Sequence, residues 1–339
     1  MQKKKFLLAA ALIFALVFPA SSAGPEAKAT PELTRITLGM GYIPNVQFAP
    51  LYVAQEKGYF AAEGLEVEFK YGMEDDLIKL VGTDQLQFAI GSGDQVILAR
   101  QQGIPAVYVL TWYRRFPVCV LSLKEKGIQK PKDLEGKKVG IPGLFGASYM
   151  AWKALVYAAG LDEEKVELKS IGFTQAAAVK TAIVDAALDY IVSGPVQLSL
   201  AGEEIEVIRI FDYINLPSNG LITNDKTLAE KPELVEGMVR AILQGIWDTL
   251  KDPVEAFEIA LRYVPEAGGE NRKASWAVLE ASLELWKVEN LEELGLSDAQ
   301  TWERAQAFMH EAGMIEAEVD VEELFTNHFV EFWLAERES

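Results

Sequence analysis

Residues 36–69 read ITLGMGYIPNVQFAPLYVAQEKGYFAAEGLEVEF, and their pattern decides the fold. Ile36–Met40 is a short apolar run of the kind that forms a buried strand. Gly41–Pro50 is a loop that opens a helix, Leu51–Lys57 continues it, and Gly58 ends it. Leu65–Phe69 alternates apolar and charged residues, as a strand with one wet face does. Strand, helix and strand in so short a span make a βαβ unit.

The same rhythm continues outward. Asp76–Val81 reads as a helix, Gln87–Ile90 as a buried strand, and Asp94–Gln101 as a helix stopped by Gly103 and Pro105. Ala106–Trp112 is another strand. This alternation predicts an open, mostly parallel sheet with helices on its faces. A second set follows: strands at Val118–Leu123 and Lys138–Ile141, a helix from about Ser148 to Ala159 closed by Gly160, a strand at Glu167–Ile171, a helix at Ala176–Ile183 and a strand at Ala187–Val192. Val207–Phe211 reads as the last clear strand. From Lys231 the spacing is helical, and this region holds five of the seven tryptophans.

Leu77–Gln95 (LIKLVGTDQLQFAIGSGDQ) is echoed by Val179–Gln197 (VKTAIVDAALDYIVSGPVQ). Each is a helix, a polar turn, an apolar strand and a Ser-Gly pair, at Ser92-Gly93 and Ser193-Gly194. In doubly wound sheets ligands bind beyond the carboxyl ends of strands, so two such lobes could face one cleft. Ser-Gly is equally an ordinary strand-to-helix turn with a capping serine.

Composition narrows the function. The chain has 339 residues and a formal charge of −18, which argues against nucleic acid and against a polybasic membrane surface. One cysteine, Cys119, excludes an intramolecular disulfide and a cysteine-based zinc or iron–sulfur site. Two histidines, His310 and His328, exclude a His-rich metal centre and read as structural or surface residues. Lys3–Lys5, the apolar run Phe6–Phe18 and the small residues Ser21 and Ala23 read as a cleaved export signal, too short to span a membrane, with an uncleaved anchor as the alternative. Cleavage after Ala23 takes the charge to −21 and leaves residues 24–33 as a flexible leader.

Three loops carry candidate chemistry. In Gly41–Pro50, Asn45 and Gln47 can donate and accept together, and Tyr42 and Phe48 offer flat faces, which suits a planar ring edged with C=O and N–H groups. The same residues would also make an amide-capped helix with packing aromatics. Trp112–Pro117 (WYRRFP) is either a hinge of stacking rings or a covered lobe junction. Arg114 or Arg115 could pair an anion. Gly140–Tyr149 (GIPGLFGASY) is a glycine-rich turn before a helix, able to bind through backbone N–H groups, but no Lys-Ser/Thr follows, so it is not a P-loop. Asp75, Asp76, Asp185 and Asp189 could form a carboxylate pair, but most sit at helix ends or turns, where aspartate is expected. No nucleophile elbow and no histidine beside a serine or cysteine is present.

These stretches, together with IGFTQ (residues 171–175) and SNGLITND (218–225), resemble the solute-binding proteins of vitamin-type ABC importers, the group that binds thiamine pyrimidines, riboflavin, alkylsulfonates and nitrate. The resemblance runs from about Ile36 to the C-terminus and is nearest the riboflavin-binding branch, from NVQFAP, TWYRRFPV and GIPGLFGASY. It implies an α/β two-lobed periplasmic-binding-protein fold of type II with ligand in the interlobe cleft. Residues 34–115 with 214–339 would form lobe I with the C-terminal helices, and residues 116–213 lobe II. It implies a ligand site of Tyr42, Asn45, Gln47, Phe48, Ser92, Gly93, Asp94, Trp112, Tyr113, Gly143, Phe145, Gly146, Ala147, Ser148, Tyr149, Thr174 and Gln175, with Ser193 opposite. It also implies an exported, monomeric, non-enzymatic protein that uses no cofactor and meets a membrane permease. A related branch makes the thiamine pyrimidine, with histidine chemistry and a cysteine-rich motif that this chain lacks. Family members often carry Asn-Glu-Pro where this chain has Ser193-Gly194-Pro195. That departure is expected to remove a carboxylate suited to an aminopyrimidine and to leave room for a larger ring such as riboflavin's.

Overall fold

A computed structural model describes residues 33–288 and 290–338. Residues 1–32, which hold the expected export signal and most of the expected leader, lie outside the described residues. The first half begins with β1 (Thr34–Met40), α1 (Ala49–Glu56), α2 (Tyr59–Ala62), β2 (Leu65–Tyr71), α3 (Glu74–Gly82), β3 (Phe88–Ser92), α4 (Gly93–Gln101) and β4 (Ala106–Thr111). The chain then crosses into β5 (Val118–Leu123), β6 (Lys138–Ile141), α5 (Gly146–Ala159), β7 (Glu167–Ser170), α6 (Gln175–Lys180), β8 (Ala186–Tyr190), α7 (Gly194–Leu200) and β9 (Ile205–Arg209). It returns through β10 (Asn219–Asn224). The remaining helices are α8 (Asp225–Glu230), α9 (Pro232–Lys251), α10 (Pro253–Tyr263), α11 (Arg272–Trp286), α12 (Ala299–Glu311), α13 (Val321–Leu324) and α14 (His328–Glu338).

Two five-stranded sheets result, ordered β2-β1-β3-β10-β4 and β7-β6-β8-β5-β9. In each, one strand runs antiparallel to its neighbours: β10 in the first and β5 in the second. The order is the same in both, and each inserted strand comes directly after a crossing between halves. Both sheets are mostly parallel, as the alternation predicts. Val207–Phe211 is corrected: the strand ends at Arg209, residues 210–212 form a turn, and the last strand is β10.

Local signals act where the sequence places them. Gly58 sits at φ 76°, beyond α1, and Gly160 closes α5 at φ 57°, conformations that cost residues with a Cβ. Asp252 and Asp298 cap α10 and α12 by accepting from backbone N–H groups. Trp286, Trp302 and Trp333 are buried, and Trp247 and Trp276 pack partly covered against the core. Cys119 is the second residue of β5, fully buried, with its thiol donating to the Asp189 carbonyl at 3.4 Å. Among the described residues no helix is long and apolar enough to cross a membrane.

Candidate functional site

Loops at the carboxyl ends of strands in both sheets meet around one cleft of about 310 Å³, a size suited to a small molecule. Residues 41–48 follow β1, 71–75 end and follow β2, and 112–113 follow β4. From the second half come residues 142–148 after β6, Phe173 after β7, and Asp189, Tyr190 and Ser193 at the end of β8. This is where an α/β sheet presents its ligand-facing loops.

The floor is aromatic. Trp112 and Tyr113 are buried against Trp286 of α11, with ring centroids 5.5 and 5.8 Å away. The Tyr113 hydroxyl donates to Gln47 Oε1 at 3.3 Å, fixing the amide beside the ring. The halves touch at the Tyr42 and Phe173 rings, edge to face at 5.5 Å, and through the Tyr190 hydroxyl, which donates to Asn219 Oδ1 at 3.3 Å.

Tyr42, Gln47, Phe48, Trp112, Tyr113, Phe145, Gly146, Ala147, Ser148, Gln175 and Ser193 all line the cleft. The other expected residues do not. Asn45 accepts from the Gln47 N–H and caps the turn before α1. Ser92 donates from both N–H and Oγ to Glu74 Oε1, at 2.6 and 2.5 Å, so its hydroxyl does not cap α4. Gly93 lies against Pro217 and Trp302, and Asp94 is buried behind the wall with Gln95 Nε2 at 2.6 Å. The space above Gly143 is filled by the Phe145 ring, Tyr149 packs against the core, and the Thr174 hydroxyl donates to the Ile171 carbonyl. Arg114 pairs with Glu293, and Arg115 lies over Phe211; neither lines the cleft.

The sequence reading set Asp75 and Asp189 aside as ordinary turn and helix-end residues, and it missed Glu74. Glu74, Asp75 and Asp189 line the cleft. Burial, with Asp94 nearby, pushes the Glu74 carboxyl up to about 8, and burial pushes Asp189 up to about 7. Asp189 accepts from the Tyr190 N–H at 2.7 Å and from the Gly194 N–H at the start of α7. A Cβ on Gly194 would lie 2.1 Å from Asp189 Oδ2. The expectation of a missing carboxylate and added room therefore fails: Asp189 fills the room that Gly194 leaves. Tyr71, Phe173, Tyr190 and Asn219 were also missed. Position along the strands was the signal for some of these: residues 71–75 and Phe173 lie at or just past the carboxyl ends of β2 and β7, as the other cleft loops lie past theirs.

The described halves have the fold of ABC solute-binding proteins. A sulfonate-binding SsuA structure from Methylobacillus flagellatus superposes with a TM-score of 0.66 at 16% identity, covering 91% of this chain and 96% of that one. The chain belongs to the NMT1/THI5-like family, which matches residues 45–256. It is 44% identical to the riboflavin-binding protein RibY of Chloroflexus aurantiacus over 316 residues, 92% of this chain and 90% of the relative. It is 31% identical to a formylaminopyrimidine-binding protein of Halalkalibacterium halodurans over 324 residues, 93% and 97% of the two chains.

Proposed function

We propose that this chain is the exported solute-binding component of an ABC importer, and that it captures riboflavin and delivers it to a membrane permease. Residues 34–115 with 214–339 and residues 116–213 act as lobes that close on the ligand as a hinge does. The carrying observation is the cleft itself: an aromatic Trp112–Tyr113 floor with the Gln47, Gln175 and Asn219 amides around it. Likeness to RibY supports the choice of ring. Binding rather than chemistry fits the placement of His310 and His328 away from the cleft and of Cys119 inside a sheet. The protein acts as a monomer after its signal is removed.

A thiamine pyrimidine precursor is the second reading, favoured by the Asp189 carboxyl, which can face an aminopyrimidine, and by likeness to the formylaminopyrimidine-binding protein. Titration into riboflavin is expected to quench flavin fluorescence saturably, with a Kd of about 1 μM or below. Tyr42→Ala removes a ring from the wall and weakens binding by about tenfold, 1.4 kcal/mol. An unchanged Kd removes Tyr42 from the ligand's contacts. No quenching, with a thermal shift on adding aminopyrimidine, turns the assignment to the second reading.

A further inference from the structure

Helix N-termini carry partial positive charge and unpaired N–H groups, and in α/β folds they receive the anionic part of a ligand. Several helices begin at or beside this cleft, and at the starts of three of them, α4, α5 and α7, the chain supplies a carboxyl group of its own. Glu74 takes the Ser92 N–H and hydroxyl where α4 begins. Asp189 takes the Gly194 N–H where α7 begins. Asp75 Oδ1 lies 4.0 Å from the point where a Gly146 Cβ would sit, so this acid of the first half faces the start of α5 in the second.

The rest of the wall offers an anion neutral amide and hydroxyl donors and no counter-charge. Among the described residues no lysine, arginine or histidine lines the cleft. Lys79, one turn along α3, acts on Asp75 from outside the wall. The exposed lining residues Ile43, Met73, Phe145 and Phe173 are all apolar.

We propose that Glu74, Asp75 and Asp189 make the cleft selective for uncharged ligands, and that it rejects the phosphate monoester or sulfonate of a ring it otherwise accepts. Asp75 is the specificity residue for the start of α5. A phosphate monoester brings a charge of about −1.5 to −2 at neutral pH and would leave water for a wall without a cation. The inference rests on the riboflavin reading for its choice of probe. It places a phosphomonoester hydrolysis ahead of capture whenever the vitamin arrives phosphorylated.

The test is a pair of titrations of the purified chain, with riboflavin and with its 5′-phosphate, in the same low-salt buffer at pH 7.5. The phosphate ester should bind at least about thirtyfold more weakly, a gap of about 2 kcal/mol. A smaller gap overturns the exclusion and leaves riboflavin capture standing. In Asp75→Asn the ratio of the two Kd values should fall by at least fivefold, because the start of α5 is then open to the ester. An unchanged ratio removes Asp75 from the role. If riboflavin itself does not bind, the capture reading fails, and exclusion is read from hydroxymethylpyrimidine against its phosphate by calorimetry with the same threshold. Failure of both neutral probes overturns the two proposals together.

Discussion

Replacing Gly220 with alanine removes about 3 kcal/mol or more of stability. Gly220 lies in β10, paired with Gly91 on β3 and Thr111 on β4. A Cβ there would sit 2.0 Å from the Tyr108 ring, 2.1 Å from its hydroxyl and 2.2 Å from the Leu110 carbonyl oxygen. The carbonyl belongs to a neighbouring strand and cannot rotate away. Tyr108 is fixed as well, buried under Trp302 at 5.2 Å and donating to the Asn219 carbonyl at 2.9 Å. The methyl group therefore forces β10 away from β4, in the strand by which the chain re-enters the first sheet. Gly58→Ala is the comparison: open space surrounds Gly58, and only its φ of 76° is unfavourable, which costs about 1–2 kcal/mol. Thermal unfolding followed by circular dichroism should rank Gly220→Ala well below Gly58→Ala. A Gly220→Ala midpoint within about 2 °C of the parent would show that the strand gives way easily.

The ligand-free protein should be less stable at pH 8 than at pH 5. Asp189 ordinarily titrates near 3.8 and is held up to about 7, and Glu74 ordinarily titrates near 4.5 and is held up to about 8. In both, burial is the main cause; Asp94, itself pushed up to about 6, adds to the effect on Glu74. Between the ordinary and the raised values the folded chain keeps protons that the unfolded chain has released. Stability then falls as pH rises, and the loss is complete above the folded values. For Asp189 the full span corresponds to about 4 kcal/mol by pH 8 as an upper figure. Asp185 and Asp248 are held below the ordinary carboxylate value, so their opposite contribution is already complete by pH 5. The midpoint should drop by roughly 5 °C or more between pH 5 and pH 8. Asp189→Asn, which keeps an acceptor without a titrating proton, should flatten that slope. Equal midpoints at the two pH values in the parent would contradict the burial of these acids.

Much of the fold is legible because its elements advertise themselves. The buried runs of β1, β3 and β4 read as strands, Gly58 and Gly160 read as stops, and the βα alternation implies the sheets. β10 does not read this way. Its sequence, NGLITN, is short, polar at both ends and glycine-bearing, like a turn. It becomes a strand because β3 and β4 leave a slot that only a residue without a side chain can enter beside Tyr108. The site divides along the same line. Tyr42, Gln47 and Phe145 stand in loops with unusual composition. Glu74, Asp75 and Asp189 occupy places where acids are ordinary, at a helix start and a strand end. Only the meeting of the two halves gives those carboxyls a shared cavity. Asn45, Ser92 and Thr174 carry suitable polar groups, but nearby backbone or side-chain partners already claim them.

The position of Cys119 makes the chain a ready frame for an optical sensor. Its thiol is enclosed by the second sheet, and burial raises its pKa well above the usual value, so little reactive thiolate forms. A maleimide dye would find no target on the folded protein. A cysteine put in place of Met73, which is 40% exposed at the cleft, would then be the single labelled position, and its dye would report occupancy directly.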